Sequence, residues 1–417
     1  MTVIVAGAGI GGLSCALFLD RAGVDVQVYE AVGEVRELGV GVNIQPHAVR
    51  ALAQVDLADG LIAIGNPCLE WTLANHLGQC IWSEPRGARA GEDWPQVSVH
   101  RGRLQALLLR TLVARRGPDA VRTGHRLVGF QQRDDGVVAR FATLEGGEEA
   151  VEGAALVGAD GLHSALRRAL YPDEGDPLYA GHMLWRGVTT AAPFLDGSTM
   201  VIAGHAEQKL IAYPITRPDA NGECLVNWNA DVALTRMLRR EDWNRPGRLV
   251  DFVPLYEGWR FPWLDVPALM RGADAVYEYP MVDRDPLPRW SFGHVTLLGD
   301  AAHPMYPIGA NGASQAIRDA GVLADELVAG PSVAAALVRY EETRRPLTTN
   351  VVVANRAGGA ERMMELVHER APDGFASIEE VLPRAELERI ASSYWAATGA
   401  APVSSPPRRG GGDTQPR

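Results

Sequence analysis

The sequence has few cysteines, no long apolar run and no excess of basic residues. Its four cysteines lie apart in the 417 residues, without a CxxC pair or a Cys/His cluster at metal-ligand spacing, so we expect reduced thiols and no metal. No apolar run reaches membrane-spanning length and no cleavable leader precedes the opening strand pattern, which predicts a cytoplasmic protein without stable membrane association. The formal net charge of -11 argues against nucleic acid as a partner, because a polyanion binds to a basic face.

The pattern of the chain changes near residue 180 and again near residue 280. Outside those points, buried-strand patterns alternate with helix patterns, whereas strand-like stretches and a Trp-containing helical insert fill the segment between them. The length also favours two associated domains over one. We predict a discontinuous α/β domain (1–68, 98–178 and 281–345), a mostly antiparallel β-sheet domain (69–97 and 179–280), a helical region (346–400) and a disordered tail (401–417).

Some individual elements can also be predicted from periodicity and turn residues. Residues 69–82 indicate a hairpin that turns near Gly78. Strands are predicted at 126–141 and 149–157, and helices at 103–115, 314–327 and 335–368.

Glycine is concentrated in one turn near the start of the chain. Gly7-Ala8-Gly9-Ile10-Gly11-Gly12 follows a short apolar strand pattern and precedes a helix pattern. Gly7 permits a tight turn, Gly9 lets the backbone approach a pyrophosphate, and Gly12 lets the helix pack closely on the strand. Glu30 ends the second predicted strand, where a carboxylate can accept hydrogen bonds from both hydroxyls of an adenosine ribose. The turn therefore predicts a dinucleotide site, but it does not separate NAD from FAD.

Two later segments separate these cofactors. The first is 158–167 (GADGLHSALR), and the second is 299–304 (GDAAHP) followed by 307–312 (PIGANG). Together with the glycine turn, they resemble the three signature motifs of the para-hydroxybenzoate-hydroxylase-like, single-component FAD monooxygenases of group A. The resemblance runs from Val3 to about Asn355. It implies an α/β fold with a Rossmann-like FAD-binding domain, an inserted mostly antiparallel β-sheet substrate domain and C-terminal helices.

The resemblance also implies the reaction. In this family NADH or NADPH reduces FAD, O₂ then gives a flavin C4a-hydroperoxide, and that species hydroxylates an electron-rich aromatic ring. Because only one dinucleotide motif is present, the nicotinamide would bind transiently. We therefore expect a small aromatic substrate and a protein that acts as a monomer or homodimer.

Several positions match FAD contacts of the family. Asp300 resembles the residue that binds the ribityl chain, and the backbone from Gly309 to Gly312 would face the flavin pyrimidine ring at a helix start, where N–H groups stabilise negative charge. Arg101, assisted by Gln105, resembles the arginine at the flavin and its phosphates, or is a solvated surface residue. Asp160 contacts FAD or nicotinamide, or is a structural turn residue. The full predicted set is Gly7, Gly9, Gly11, Gly12, Leu13, Glu30, Gly41 and Val42 near the isoalloxazine, Arg101, Gln105, Leu127 near the adenine, Asp160, Asp300, Gly309, Gly312 and Ala313.

Other stretches resemble one branch of the family, the phenazine hydroxylases that convert an N-methylated phenazine carboxylate to a hydroxyphenazine with loss of CO₂. Salicylate hydroxylases, which also decarboxylate, are more distantly similar. The resemblance implies a phenazine-like or carboxylated substrate and a role in secondary metabolism, and it leaves decarboxylation open. The stretches that carry it are 39–46, 82–87, 185–189, 279–286 and 305–307.

Aromatic and basic side chains are the candidates for the substrate pocket, and no catalytic residue is assigned apart from FAD itself. Arg186 or Arg284 could hold a carboxylate by bidentate pairing, or could form a structural ion pair. His303 lies within a flavin motif, so we expect a structural role rather than that of a general base. A flat ring can stack on aromatic side chains, so Tyr213 and Trp228 are candidates, although both could equally be core residues. Met305, Tyr306 and Pro307 are candidates because they would lie beside the flavin.

Two other functions are compatible with the sequence. One is a different FAD oxidoreductase, such as an epoxidase, an N-hydroxylase or a dehydrogenase that does not use O₂. The other is a flavin-binding or nucleotide-binding protein without catalysis, which the complete set of flavin motifs disfavours.

Overall fold

The structure is a computed structural model that describes residues 1–234 and 245–398, so the predicted tail at 401–417 lies outside the described residues. The strands are β1 Thr2–Ala6, β2 Asp25–Tyr29, β3 Gly41–Ile44, β4 Asn66–Cys68, β5 Glu70–Ala74, β6 Cys80–Pro85, β7 Gln96–His100, β8 Val121–Arg122, β9 His125–Arg133, β10 Gly136–Thr143, β11 Glu148–Gly153, β12 Ala155–Gly158, β13 Leu178–Ala191, β14 Thr199–His205, β15 Gln208–Pro214, β16 Cys224–Ala233, β17 Arg260–Phe261, β18 Leu264–Asp265, β19 Ala273–Asp283 and β20 Val295–Leu297. The α-helices are α1 Ile10–Arg21, α2 Pro46–Ala53, α3 Ala58–Ile64, α4 Arg101–Arg116, α5 Ala165–Leu170, α6 Leu249–Phe252, α7 Val266–Arg271, α8 Gly312–Ala329, α9 Val333–Arg356, α10 Arg362–Arg370, α11 Ile378–Val381 and α12 Arg384–Thr398.

A parallel sheet in the order β20-β12-β1-β2-β8 forms the centre of the first domain. The apolar run of β1 suits a strand that is buried on both faces, and Val3, Ile4 and Val5 are fully buried. Helix α1 packs against α4 and α8 beside this sheet. The carboxyl ends of β1, β12 and β20 lead into the glycine turn and the two later motifs. The three motifs of the sequence therefore meet at one edge of the sheet.

A larger sheet in the order β19-β13-β16-β15-β14-β5-β6 forms the second domain. Its neighbouring strands are antiparallel except for β14 and β5, which run parallel. The hairpin predicted at 69–82 is confirmed, because β5 pairs antiparallel with β6 and the turn lies between Asn75 and Gln79. The expected combination of a parallel α/β sheet, a mostly antiparallel sheet and C-terminal helices is confirmed.

A small sheet in the order β3-β7-β4 contacts the larger sheet through Gly41. Strand β3 begins at Gly41, where an added Cβ would lie 2.6 Å from the Cβ of Asn227 and 2.8 Å from Tyr213 of the larger sheet. This close approach needs a residue without a side chain, and it brings β3 against the face of β15 and β16.

Three of the predicted elements are wrong in their extent. The strand predicted at 149–157 is two strands, β11 and β12, which belong to different sheets. The strand predicted at 126–141 is a hairpin of β9 and β10, which turns at Asp134 and Asp135. The helix predicted at 335–368 is interrupted between α9 and α10. Gly358 and Gly359 have φ angles of 81° and 56° there, a left-handed conformation that ends a helix. The apolar periodicity continues through the break and conceals it.

The C-terminal helices cover the outer end of the larger sheet. Met363, Met364 and Val367 of α10, with Tyr394 and Trp395 of α12, pack in one apolar cluster with residues of β5, β6, β14 and β15. Across the described part of the chain, every helix is too short or too polar to cross a membrane.

Candidate active site

The glycine turn after β1 is tightly packed on one side and open on the other. Gly7 has a φ of 107°, and its N–H donates to the carbonyl of Tyr29 at 2.7 Å. A Cβ on Gly12 would overlap the carbonyl oxygen of Gly7, and a Cβ on Gly11 would lie 2.9 Å from Leu298. A Cβ on Gly9, in contrast, would meet no protein atom within 4 Å. The open side at Gly9 is where a phosphate can approach the backbone.

The peptide of Ala8 is held from both sides by side chains of the predicted set. Its N–H donates to the Glu30 carboxylate at 2.7 Å, and its carbonyl accepts from Gln105 Nε2 at 2.7 Å. Glu30 also accepts from the N–H of Val32 at 3.0 Å, and each carboxylate oxygen keeps a lone pair for a ribose hydroxyl. Gln105 thus supports the turn, a contact that the sequence prediction did not specify.

The start of α1 presents backbone donors to the open side of the turn. The first helical hydrogen bond runs from the N–H of Leu13 to the carbonyl of Gly9 at 3.0 Å, so the preceding N–H groups have no partner within the helix. These donors and the helix dipole favour a pyrophosphate. The side chain of Leu13 is fully buried in the core, which leaves only its backbone beside the turn.

The start of α8 lies next to Asp300. The exposed carboxylate of Asp300 is 3.8 Å from the position of a Cβ on Gly312, the first residue of the helix. Ala313 packs on the core behind it. Gly309, in the loop before α8, has a φ of 67°, and its carbonyl accepts from Gln45 Nε2 at 3.1 Å. The structure therefore brings the carboxylate and the helix start together, as the motif predicts.

Arg101, Gly41 and Val42 lie near each other at the ends of β3 and β7. Arg101 is exposed at the first position of α4, and its N–H donates to the carbonyl of Val40 at 2.9 Å. Gly41 pairs with His100, and Val42 pairs with Val99. These contacts place the exposed arginine beside the loop that leads into β3.

Leu127 and Asp160 have mainly structural environments. Leu127 is buried on β9 within the core of the first domain, two residues beyond the N–H of His125 that donates to the carbonyl of Glu30. The Asp160 carboxylate accepts from the N–H of Ala165 at 2.7 Å at the start of α5, and burial raises the pKa of Asp160. Of the two readings of Asp160, its side-chain contacts match the structural turn residue, although its backbone adjoins Gly7.

The residues around the glycine turn fit FAD. The turn leaves space at Gly9 where a side chain would block a phosphate, the first N–H groups of α1 have no acceptor within the helix, and the carboxylates of Glu30 and Asp300 can accept from sugar hydroxyls. Glu30 would hold the ribose and Asp300 the ribityl chain of the cofactor.

Arg186 is the main cation on the face of the larger sheet that adjoins β3. Its Nε donates to Asn229 Oδ1 at 3.0 Å, and its Nη2 donates to the carbonyl of Gly41 at 3.1 Å. The guanidinium lies 5.8 Å from the ring centroid of Tyr279. Burial lowers the pKa of Arg186, and in the described residues no carboxylate lies within ion-pair distance of it. A partly buried cation without a carboxylate partner favours an anionic ligand.

Asn227 and Tyr213 flank Arg186 on neighbouring strands. Asn227 Oδ1 accepts from the N–H of Gly41 at 2.7 Å, while its buried Nδ2 has no hydrogen-bond acceptor within the described residues. Burial raises the pKa of Tyr213 to about 12, so this phenol stays neutral beside the guanidinium. Sequence reasoning missed Asn227, because an isolated asparagine in a strand pattern carries no distinctive signal.

The loop before α8 packs against the sheet through Tyr306. Tyr306 is half-buried and packs with Leu184, Tyr279 and Met281 of the sheet. Burial and the neighbouring Asp283 raise the pKa of Tyr306 to about 12. Met305 is partly buried and Pro307 is exposed on either side of it. The face of the sheet between this loop and β3 is the candidate pocket, and it carries aromatic side chains, one cation and one amide donor.

Two of the candidates for the pocket are placed elsewhere. Trp228 is wrong as a pocket residue, because it pairs across strands with Ala212 and lies in the core on the other face of the sheet. Its Nε1 donates to Thr189 Oγ1 at 3.0 Å. Arg284 pairs with Glu174 at 3.2 Å and donates to the carbonyl of Gly175 at 2.9 Å, which matches the structural reading.

His303 belongs to a buried polar group behind the loop. Its Nε2 lies 2.6 Å from Asp319 Oδ2 of α8, and Arg344 Nε donates to Asp319 Oδ1 at 2.7 Å. Burial favours the neutral acid, but His303 and Arg344 outweigh it and lower the pKa of Asp319 to about 2. The expected structural role of His303 agrees with these contacts, which fix α8 against the loop.

The fold and this site define an FAD-dependent aromatic monooxygenase that uses NADH or NADPH and O₂. The chain belongs to the FAD binding domain family, whose model matches residues 1–241 and 281–355. FAD, when bound, supplies the electron transfer to O₂ that leads to hydroxylation of the ring. The protein residues bind the cofactor, orient the aromatic substrate and keep water from the site.

Similar proteins support this assignment. The chain is 47% identical to the phenazine 1,6-dicarboxylic acid hydroxylase PhzS of Lysobacter antibioticus, over 85% of this chain and 89% of that protein. It is 31% identical to 3-hydroxybenzoate 6-hydroxylase 1 of Aquipseudomonas alcaligenes, over 85% and 87%. Among solved structures, Klebsiella pneumoniae HpxO complexed with FAD and uric acid matches with a TM-score of 0.76 and 26% identity, over 97% and 98%.

Proposed function

We propose that this enzyme hydroxylates a fused-ring aromatic carboxylate of the phenazine type, and that Arg186 binds the carboxylate of the substrate. The observation that carries the proposal is the partly buried guanidinium of Arg186 on the pocket face of the sheet, without a carboxylate partner in the described part of the chain. Similarity to a hydroxylase of phenazine 1,6-dicarboxylic acid supports the same substrate class.

The donors around Arg186 suit a planar carboxylate. The guanidinium of Arg186 has five N–H donors, and two of them donate to Asn229 and to the carbonyl of Gly41. The remaining N–H groups are available to a ligand. Asn227 Nδ2 adds a further donor on the same face. A paired guanidinium and carboxylate form a charge-assisted contact with a fixed orientation, and this contact would set which ring carbon faces the flavin.

The walls of the pocket suit a flat ring system. Tyr213 and Tyr279 on the sheet, both buried, and the half-buried Tyr306 on the loop bring aromatic rings to this face, and the buried Met281 adds a polarisable side chain. Aromatic side chains stack on a flat polycyclic ligand with offset geometry, which favours a fused-ring acid over a small aliphatic one.

The test is product formation with purified protein carrying FAD. Oxidation of NADH and of NADPH is followed with phenazine-1-carboxylate, its N-methyl form, phenazine-1,6-dicarboxylate and salicylate, and products are identified by mass. We expect one phenazine acid to accelerate oxidation and to gain one oxygen atom, with or without loss of CO₂. Stimulation by salicylate alone would replace the substrate proposal with a single-ring acid. Consumption of the nicotinamide without oxygen transfer to any of them would overturn the substrate class.

We also propose that the enzyme acts in the cytoplasm as a monomer or homodimer without stable membrane association. The formal net charge of -11 supports this, since it disfavours anionic membrane surfaces. Light scattering of the purified protein at several concentrations determines the oligomeric state, and a trimer or larger assembly would contradict the proposal.

A further inference from the structure

Helix α12 reaches from the C-terminal region to the loop that precedes α8. Its Tyr394 is 4% exposed and lies against Gly309, where an added Cβ would overlap the tyrosine hydroxyl. On the other side, a Cβ on Gly359 would lie 2.8 Å from the tyrosine ring. The ring is thus enclosed between two glycines, each of which leaves room that a side chain would fill.

The hydroxyl of Tyr394 connects the loop to α9. It accepts from Asn311 Nδ2 at 3.4 Å and donates to Asn355 Oδ1 at 3.3 Å. Asn355 Nδ2 in turn donates to the carbonyl of Tyr306 at 3.0 Å. Asn311 and Asn355 are 4% and 1% exposed, so water competes little for these bonds. The two ends of the loop are therefore fixed by one buried network centred on the tyrosine.

The loop needs such support because its backbone is strained. Gly309 has a φ of 67° and Ala310 a φ of 54°. A left-handed conformation is unfavourable for a residue with a side chain, so Ala310 holds it only where the surroundings impose it. Tyr394 on one side and Gln45, which donates to the carbonyl of Gly309, on the other provide that constraint.

The same backbone leads into the start of α8, whose N–H groups would face the flavin. Donors at a helix start stabilise negative charge only when they are held in position, and reduction places negative charge on the flavin pyrimidine ring. Movement of the loop by a few tenths of an ångström would weaken that stabilisation.

We propose that Tyr394 is a positioning residue for the flavin, which holds the backbone of 309–312 in the conformation that stabilises the reduced cofactor. The proposal rests on the assignment of this loop to FAD and not on the identity of the aromatic substrate. It places a determinant of flavin reactivity in a helix beyond residue 355, outside the matched family segments.

The test is Tyr394→Phe, which removes the hydroxyl and keeps the ring. We expect FAD to remain bound, the midpoint potential of the flavin to fall, and its reduction by the nicotinamide in the absence of aromatic substrate to slow by roughly two- to tenfold, because the hydrogen bonds of the hydroxyl to Asn311 and Asn355 are lost. Trp395→Phe is the matched control, because Trp395 on the same helix donates to Glu84 at 3.2 Å and faces the sheet. It should lose similar thermal stability without a change in potential.

A second variant removes the hydrogen bond between Asn311 and Tyr394 by a change in the loop. Asn311→Ser removes the donor to the Tyr394 hydroxyl, and we expect it to shift the potential in the same direction, with little further change in the double variant. If Tyr394→Phe and Asn311→Ser both leave the potential and the reduction rate as in Trp395→Phe, Tyr394 only packs and the proposal is wrong. Should Tyr394→Phe fail to fold, the potential of Asn311→Ser alone decides.

Discussion

The guanidinium of Arg186 donates to the carbonyl oxygen of Gly41 across 3.1 Å. This bond joins β13 of the larger sheet to β3, the strand that adjoins the proposed flavin position. The cation that we assign to the substrate is therefore fixed relative to the cofactor side by the backbone itself, and a ligand bound to it has a defined distance from the reacting centre.

Replacement of this cation should affect carboxylated compounds selectively. For Arg186→Gln we expect the affinity for a phenazine carboxylate to fall by roughly tenfold or more, since a charge-assisted hydrogen bond contributes about 1.5–3 kcal/mol, while the affinity for unsubstituted phenazine changes little. Dissociation constants from flavin absorbance changes measure both. Arg284→Gln, which removes an arginine paired with Glu174, is the control. Equal losses for both ligands would indicate that Arg186 acts on the cofactor instead.

The glycine turn allows the fold and the cofactor site to be tested separately. Gly9→Ala should leave the thermal stability of the apoprotein nearly unchanged, because the new Cβ meets no protein atom within 4 Å, but it should weaken FAD binding. Gly12→Ala should destabilise the apoprotein itself, because the Cβ would overlap the carbonyl of Gly7. Thermal unfolding without FAD and a fluorescence titration with FAD measure the two effects. Full FAD affinity in Gly9→Ala would place the pyrophosphate elsewhere.

Replacement of two aromatic residues on neighbouring strands should have opposite effects on protein stability and on substrate affinity. Trp228→Phe should lower the free energy of unfolding by about 1–3 kcal/mol and leave substrate affinity unchanged, because the ring is buried on the far face of the sheet. Tyr213→Phe should change stability less and should weaken binding of the aromatic acid, because its hydroxyl adjoins Arg186. Denaturant unfolding and ligand titration of both variants provide the comparison, and a shared pattern of loss would contradict this placement.

A histidine cluster should make stability depend on pH. His205 stacks on His368 at 4.0 Å beside His76, and burial with the charges of these neighbours, against that of Glu207, lowers the pKa of His205 from 6.5 to about 4. The folded state then binds fewer protons than the unfolded one, so stability is complete above pH 6.5 and is lost as the pH falls towards 4.

Comparison of variants isolates this effect. The loss of unfolding free energy between pH 7 and pH 5 should be smaller in His205→Gln than in the unchanged protein. Val128→Gln, which replaces an exposed residue without an ionisable side chain in another part of the chain, is the control and should keep the full loss. Identical pH slopes in all three proteins would remove the cluster from the explanation.

The fold and the cofactor could be predicted because their determinants are local. A glycine turn between a strand and a helix has few alternative uses, and Asp300 next to a helix start is visible in the sequence. The domain boundaries and the detailed FAD contacts stay predictions. The sequence of a strand does not predict which of its faces meets a cofactor. Alternation of side chains defines two faces, but it does not show which of them lies beside the cofactor.

Trp228 illustrates this limit. The cross-strand partner of Tyr213 is Asn227, so the tyrosine shares its face with the asparagine and not with the larger indole ring. The register between β15 and β16 determines that Tyr213 shares its face with Asn227 and not with Trp228, and no residue type in the sequence predicts this register. The contact of Tyr394 with Gly309 was equally hidden, because it joins positions 85 apart through packing alone.

The parallel pairing of β14 with β5, together with the late strands β19 and β20, has a consequence for synthesis on the ribosome. The antiparallel sheet is incomplete until β19 (Ala273–Asp283) has been made, and the parallel sheet until β20 (Val295–Leu297) has been made. Shorter nascent chains expose the edges of β12 and β13 as templates for wrong pairing. We therefore expect the enzyme to mature late in translation and to depend on chaperones, and fragments cut between the two domains to aggregate.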